Sequence, residues 1–178
     1  MNNMDPLERL LTEPIDRVIE KVLSQHLVIK KGLIGIKSAI NNAERYSITH
    51  RGEINAIKTK FDLLMENLEI HMFKEAMVLY PEFIKLWNKI MYQSDIKLSF
   101  NLMYPIDCRL SDHKTIQLMM DEINESCRCI LFSNDGCENI RVMYTDLRVF
   151  KKMLLRLIHV EDKFLFPEVL ALEKILNN

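Results

Sequence analysis

The sequence is poor in the residues that turn a chain. Its 178 residues include only 4 glycines and 5 prolines, too few for the many tight turns of a sandwich or barrel and for a glycine loop that cradles phosphate. It also lacks an excess of either charge, since 24 lysines and arginines face 25 aspartates and glutamates. A formal net charge of −1 offers no basic field to a phosphate backbone, so nucleic acid is not an expected partner. No apolar run approaches the roughly 20 residues that cross a bilayer. The start, MNNMDPLERL, has no apolar core of a signal peptide. No membrane association and a cytoplasmic location are the expectations. The cysteines, Cys108, Cys127, Cys129 and Cys137, lack the paired CxxC spacing of a zinc ribbon, and a reducing compartment keeps them as free thiols. Cys137, beside an Asn-Asp-Gly turn, is expected to be exposed. No Ser-His-Asp set or phosphate loop is recognisable, so any enzyme activity would have to reside at a metal.

What the chain has is 48% apolar content, placed at three- and four-residue intervals. Ile15, Val18, Ile19, Val22 and Leu23, then Leu33 and Ile36, predict a first helix from about Pro14 to Ala39. Ile54, Ile57, Phe61, Leu64, Leu68 and Met72 predict a second, reaching Pro81, which is expected to end or kink it ahead of a short extension through Phe83 to Met91. The stretch from Gln93 to Leu110 reads as a connection. Ser111 is a candidate N-cap for a third helix carrying Ile116, Met120, Ile123, Cys127 and Ile130, which stops before the turn signal Ser133 to Gly136. Met143, Leu147, Phe150, Leu154, Leu157, Ile158, Phe164 and Leu165 mark a fourth helix that passes Pro167 and ends near Leu176. The expected fold is all-α, an antiparallel up-and-down four-helix bundle in one domain, 1–178, with its core over about 14–172. Most methionines, including Met65, Met72, Met77, Met119, Met120 and Met153, fall at helical spacings expected of core filler.

The informative residues interrupt these apolar stripes. His26 lies on the buried line of the first helix, His71 and Glu75 on that of the second, His113 on the third and Glu161 on the fourth. Every helix thus aims at least one polar group inward. Two buried carboxylates beside three imidazoles are tolerable only if neutralised or shared with a cation. Imidazole and carboxylate donors suit iron, zinc or manganese, and facing helices of a bundle are a place to assemble such a site. A polar network bonded only to itself is the alternative at this point.

The chain also echoes itself: EAMVLYPEF from Glu75 and EDKFLFPEV from Glu161 share a Glu, a later Leu-aromatic pair and Pro-Glu. With its flanks the first copy reads HMFKEAMVLYP, His71 to Pro81, and resembles the H-x-x-x-E-x-x-x-L-F-P ligand motif of the repair-of-iron-centres proteins, di-iron members of the hemerythrin-like family. PIDCRLSDH, Pro105 to His113, resembles that family's entry to its third helix, and Met143 to Leu170 resembles its last helix. The resemblance implies His26, His71 and His113 as terminal ligands and Glu75 and Glu161 as bridging carboxylates. It implies non-haem iron as the cofactor, possible di-iron occupancy, and iron–sulfur proteins as partners in nitrosative or oxidative stress. The chain departs from the motif at Leu157, where a ligand histidine is expected four residues before Glu161. His159 is a replacement only if the helix bulges, because two residues turn a helix by about 200°. His50, 21 residues before His71, stands about 32 Å away along a straight helix and is out of reach.

A different class of function is a metal-free bundle that binds a regulatory protein partner. LRVFKKMLLRLIHVED, Leu147 to Asp162, is similar to the last helix of the AlgQ and regulator-of-sigma-D proteins, which bind a sigma factor.

Overall fold

The computed structural model describes residues 13–132 and 138–177, and among these the ordered elements are all helical. Helix α1 spans Ile15–Tyr46, α2 Arg51–Lys74, α3 Tyr80–Tyr92, α4 Met103–Leu131, α5 Glu138–Val160 and α6 Phe166–Asn177. A single turn of π-helix, Glu75–Leu79, joins α2 to α3, and another, Glu161–Leu165, joins α5 to α6. The result is four packed rods. Helix α1 lies against α2 and α5, α4 lies against the same two helices, and α3 meets α6 and α1. The expected turn at Ser133 to Gly136, and Cys137 with it, lie outside the described residues.

The core is the apolar stripe of each rod, each fully buried Leu, Ile or Phe contributing about 1.5–3 kcal/mol. Two helix boundaries differ from expectation, and each has a packing reason. Helix α1 runs past Ala39 because Ile40 and Ala43 continue its buried line, while Asn41 and Asn42 fall on the solvent side. It ends where the Ser47 N–H bonds the Ala43 carbonyl at 2.9 Å. Helix α4 starts at Met103 rather than Ser111, so the connection is only 93–102. Pro105 sits in its first turn, where no intrahelical N–H is needed, and Leu102 and Ile106, both fully buried, extend the stripe backwards. The connection leaves α3 through a left-handed Gln93, φ 51°. Two buried carboxylates hold it: Glu82 accepts from the Ser99 N–H at 2.8 Å and Ser99 Oγ at 2.7 Å, and Glu173 accepts from the Leu102 N–H at 2.9 Å.

Pro81 neither ends nor breaks its helix. In an α-helix its ring would meet the carbonyl of Met77, four residues back. The π turn widens the backbone there, and the Tyr80 N–H bonds the Glu75 carbonyl, five residues back. The second copy of the motif does the same, with the Phe166 N–H on the Glu161 carbonyl ahead of Pro167. The sequence echo is therefore a repeated backbone device, with a glutamate opening each π turn. Most of the methionine expectation holds in the core, with Met72 and Met120 buried and Met65, Met119 and Met153 packed against it. Met77, on the first π turn, Met91 and Met103 are exposed instead. Cys108, Cys127 and Cys129 are free thiols, and burial pushes the Cys127 thiol up to about 12. No described helix is long and apolar enough to cross a membrane.

Candidate metal centre

Five polar side chains from all four rods meet inside the bundle. His26, His71, Glu75, His113 and Glu161 are each at most 5% exposed and line one small cavity with Leu68, Met72, Leu154 and Leu157. The two glutamates sit at the opening residue of each π turn, and the inserted residue of such a turn re-aims side chains by about 100° relative to an unbroken helix.

The distances define two sides. On the first, His71 Nε2 lies 2.8 Å from His113 Nε2 and 3.1 Å from Glu75 Oε1, and His113 Nε2 lies 3.4 Å from Glu161 Oε2. On the second, His26 Nε2 is 3.4 Å from both Glu75 Oε2 and Glu161 Oε1. Each carboxylate thus presents one oxygen to each side. The donor atoms of His71, Glu75, His113 and Glu161 lie within 4.8 Å of one another, and this buried group could hold a metal ion.

Outer carboxylates set the imidazoles. His113 Nδ1 lies 2.6 Å from Asp162 Oδ1, and His71 Nδ1 lies 3.5 Å from Asp112 Oδ2, which itself pairs with Arg109 at 2.8 Å. An ionised carboxylate only accepts, so the His113 Nδ1 atom carries the proton and its Nε2 faces the cavity. A second Nε2 only 2.8 Å away is tolerable only with a proton or a cation between the two lone pairs. Burial works against charging His113, but the bonds to Asp162 and Glu161 prevail and raise it to about 10. The glutamates are pushed apart. Burial, then the charge of Glu161, raises Glu75 above the ordinary carboxylate range. Burial also acts to raise Glu161, but bonds with His113 and His26 outweigh it and hold that group low.

Whether the residues fit a metal is decided by what they leave unsatisfied. Both oxygens of Glu75 and the His26 Nδ1 atom are buried without a hydrogen-bond partner, although native interiors leave few such atoms unpaired. Donors that share one ion at about 2.1 Å stand about 3.0–3.4 Å apart, close to most of the separations above. The donor set fits a first-row ion, and its nitrogen and oxygen atoms do not single out one metal.

The other sequence candidates lie elsewhere. His159 is exposed and packs edge-on to Phe164, 5.4 Å between ring centres. The π turn does begin close by, at Glu161, but it follows His159 and leaves that side chain on the solvent face. His50 precedes α2 and lies 3.7 Å from Glu53. Leu157 is buried in the cavity wall.

Sequence reasoning missed three participants. Asp162, one residue after Glu161, pairs with His113. Asp112 directly precedes His113, and that adjacency was its only signal. Tyr80 donates its O–H to Glu161 Oε1 at 2.6 Å, and burial followed by the two carboxylates raises its phenol well above the ordinary value. The signal for Tyr80 lay in the echo, which sets it opposite Phe166. No family model and no curated protein matches the chain, so the chemistry of the centre has to be read from its own atoms.

Proposed function

We propose that this protein is a hemerythrin-like, antiparallel four-helix bundle that holds non-haem iron among His26, His71, Glu75, His113 and Glu161 and serves iron–sulfur cluster repair under nitrosative or oxidative stress. One observation carries the reading: two imidazole nitrogens face each other at 2.8 Å beside a buried carboxylate that has ion-pair contacts with His71 at 3.1 Å and His26 at 3.4 Å but no well-formed hydrogen bond. A self-contained polar core would have satisfied that carboxylate. Iron bound there supplies a redox couple and coordination positions for a small ligand such as nitric oxide or oxygen.

The protein's own atoms do the rest. Asp162 and Asp112 orient the imidazoles, and, against burial, the bond to Asp162 raises the basicity of His113. Leu68, Met72, Leu154 and Leu157 line the cavity with apolar surface, which strengthens the electrostatic hold of the carboxylates on a cation.

The regulatory alternative has weaker support. Its resemblance rests on Leu147 to Asp162, and Leu147, Phe150, Leu154, Leu157 and Ile158 in that segment are all buried in the bundle.

The test is elemental analysis of untagged protein from iron-replete cells, with its visible spectrum before and after chelation. Iron bound in stoichiometric amount, and lost from a folded Glu75→Ala variant, is the expected result. A protein that stays metal-free after anaerobic ferrous reconstitution overturns the reading and directs attention to protein partners.

A further inference from the structure

The two sides of the centre are unequal in a way that follows the internal echo. His71 and Leu157 occupy equivalent positions, each four residues before the glutamate that opens a π turn. The side built by α2 and α4 therefore has two imidazoles, His71 and His113, and both carboxylates. The side built by α1 and α5 has a single imidazole, His26, with the second oxygen of each carboxylate, because Leu157 stands where a second imidazole would be.

A second difference falls on the same deficient side. The echo pairs Tyr80 with Phe166, and each ring lies against an imidazole. Phe166 is nearly parallel to His113, 6.0 Å between centres and 7° between planes, and Tyr80 stacks on His26 at 5.9 Å and 29°. Only the aromatic beside His26 carries a hydroxyl. That hydroxyl is spent on Glu161 Oε1 at 2.6 Å, one of the two carboxylate oxygens that face His26. That bond takes one of the oxygen's two lone pairs and some of its charge, which weakens it as a donor to an ion on the His26 side. His26 Nε2 and Glu75 Oε2, themselves 3.4 Å apart, are then the remaining donors on that side, against the four or more that a first-row ion takes.

We propose that the Tyr80 hydroxyl stands in for a second metal ion, so that the centre is mononuclear, with its ion held by His71, Glu75, His113 and Glu161 and its His26 side closed by a phenol. This rests on the metal-binding reading above. Tyr80 is a positioning residue: by bonding one oxygen of Glu161 it turns the other toward His113 and removes the need for a cation at the first. The two differences between the copies, Leu157 opposite His71 and Tyr80 opposite Phe166, then act together.

The experiment is anaerobic ferrous titration of the metal-free full chain, read as ions bound per chain, followed by the visible spectrum after oxidation. It is run on the unaltered protein, Tyr80→Phe, Leu157→His and the Leu157→His, Tyr80→Phe pair, each checked for helical content and cooperative unfolding. One ion per chain in the unaltered protein, and two in the folded double variant, is the expected result. Two ions in the unaltered protein overturn the proposal while leaving the metal reading intact. So does a ferric charge-transfer band that Tyr80→Phe abolishes, since it makes the phenol a ligand. A folded double variant that still binds one ion overturns it as well, whereas an unaltered protein that binds none overturns the metal reading itself.

Discussion

Replacing Glu75 by leucine separates what this carboxylate does for a metal from what it does to the fold. Both of its oxygens are buried without a hydrogen-bond partner, and burial raises its pKa. An unsatisfied buried polar group costs about 1–3 kcal/mol, and the apolar replacement adds about 1 kcal/mol of transfer free energy. The metal-free Glu75→Leu variant should therefore be more stable than the metal-free parent by about 2–4 kcal/mol. For a chain of this length about 2–4 °C accompany each kcal/mol, so the midpoint should rise by roughly 5–15 °C. The assay is thermal unfolding by circular dichroism in excess chelator, repeated with metal. Metal should stabilise the parent, by an amount set by its concentration relative to Kd, and leave the variant unmoved. A metal-free variant less stable than its parent refutes the reasoning, because Glu75 would then be a structural partner of His71 and His26 rather than a carboxylate held ready for a cation.

Other outcomes follow from the same geometry. Asp162→Asn removes the charged acceptor of His113 Nδ1 and should weaken metal affinity about 10–100-fold in competition with a chromophoric chelator; equal affinities would place Asp162 outside the centre's function. Glu82→Ala removes the acceptor of both Ser99 bonds and of the half-buried Lys85 pair and should cost about 2 kcal/mol. Hydrogen exchange should report it first at the Ser99 amide. Burial acts to raise the Glu82 carboxyl, but bonds from Lys85 and Ser99 lower it below its ordinary 4.5. Its contribution is therefore present above pH 4.5 and lost as pH falls through the lower folded value, so parent and variant should converge in acid. A constant difference down to pH 2 would contradict that assignment. A Cβ on Gly32 would come within 2.8 Å of the buried Phe150 ring, whereas one on Gly35 meets nothing within 4 Å. Gly35→Ala should gain about 0.5–1 kcal/mol in helix propensity, and Gly32→Ala should lose that gain to overpacking of about 1–3 kcal/mol. Equal midpoints in thermal unfolding would show that α1 and α5 do not approach as closely as this.

Much of this architecture was present in the sequence because helical periodicity is local. The stripe Ile15, Val18, Ile19, Val22, His26 names its own buried face, and the same spacing turns His71, Glu75, His113 and Glu161 inward. Boundaries were less legible. Ser111 looked like an N-cap and Pro105 like a loop residue, but a first-turn proline and a buried Leu102 and Ile106 outweigh a favourable cap. Pro81 looked like a stop because an α-helix has no room for it, and the π turn that makes room is a five-residue hydrogen bond no pattern of side chains announces.

By itself, then, the sequence determined that the chain is helical, which faces are buried and that His26, His71, Glu75, His113 and Glu161 turn inward, since all of these depend on spacing along one helix. Only the tertiary structure decided which groups meet. His71 and His113 are 42 residues apart and 2.8 Å apart in space, Tyr80 and Glu161 are 81 residues apart and 2.6 Å apart, and Asp162 reaches an imidazole 49 residues away. Those pairings depend on how separate helices pack and on two π turns that re-aim the glutamates, and neither is a property of any single stretch of chain.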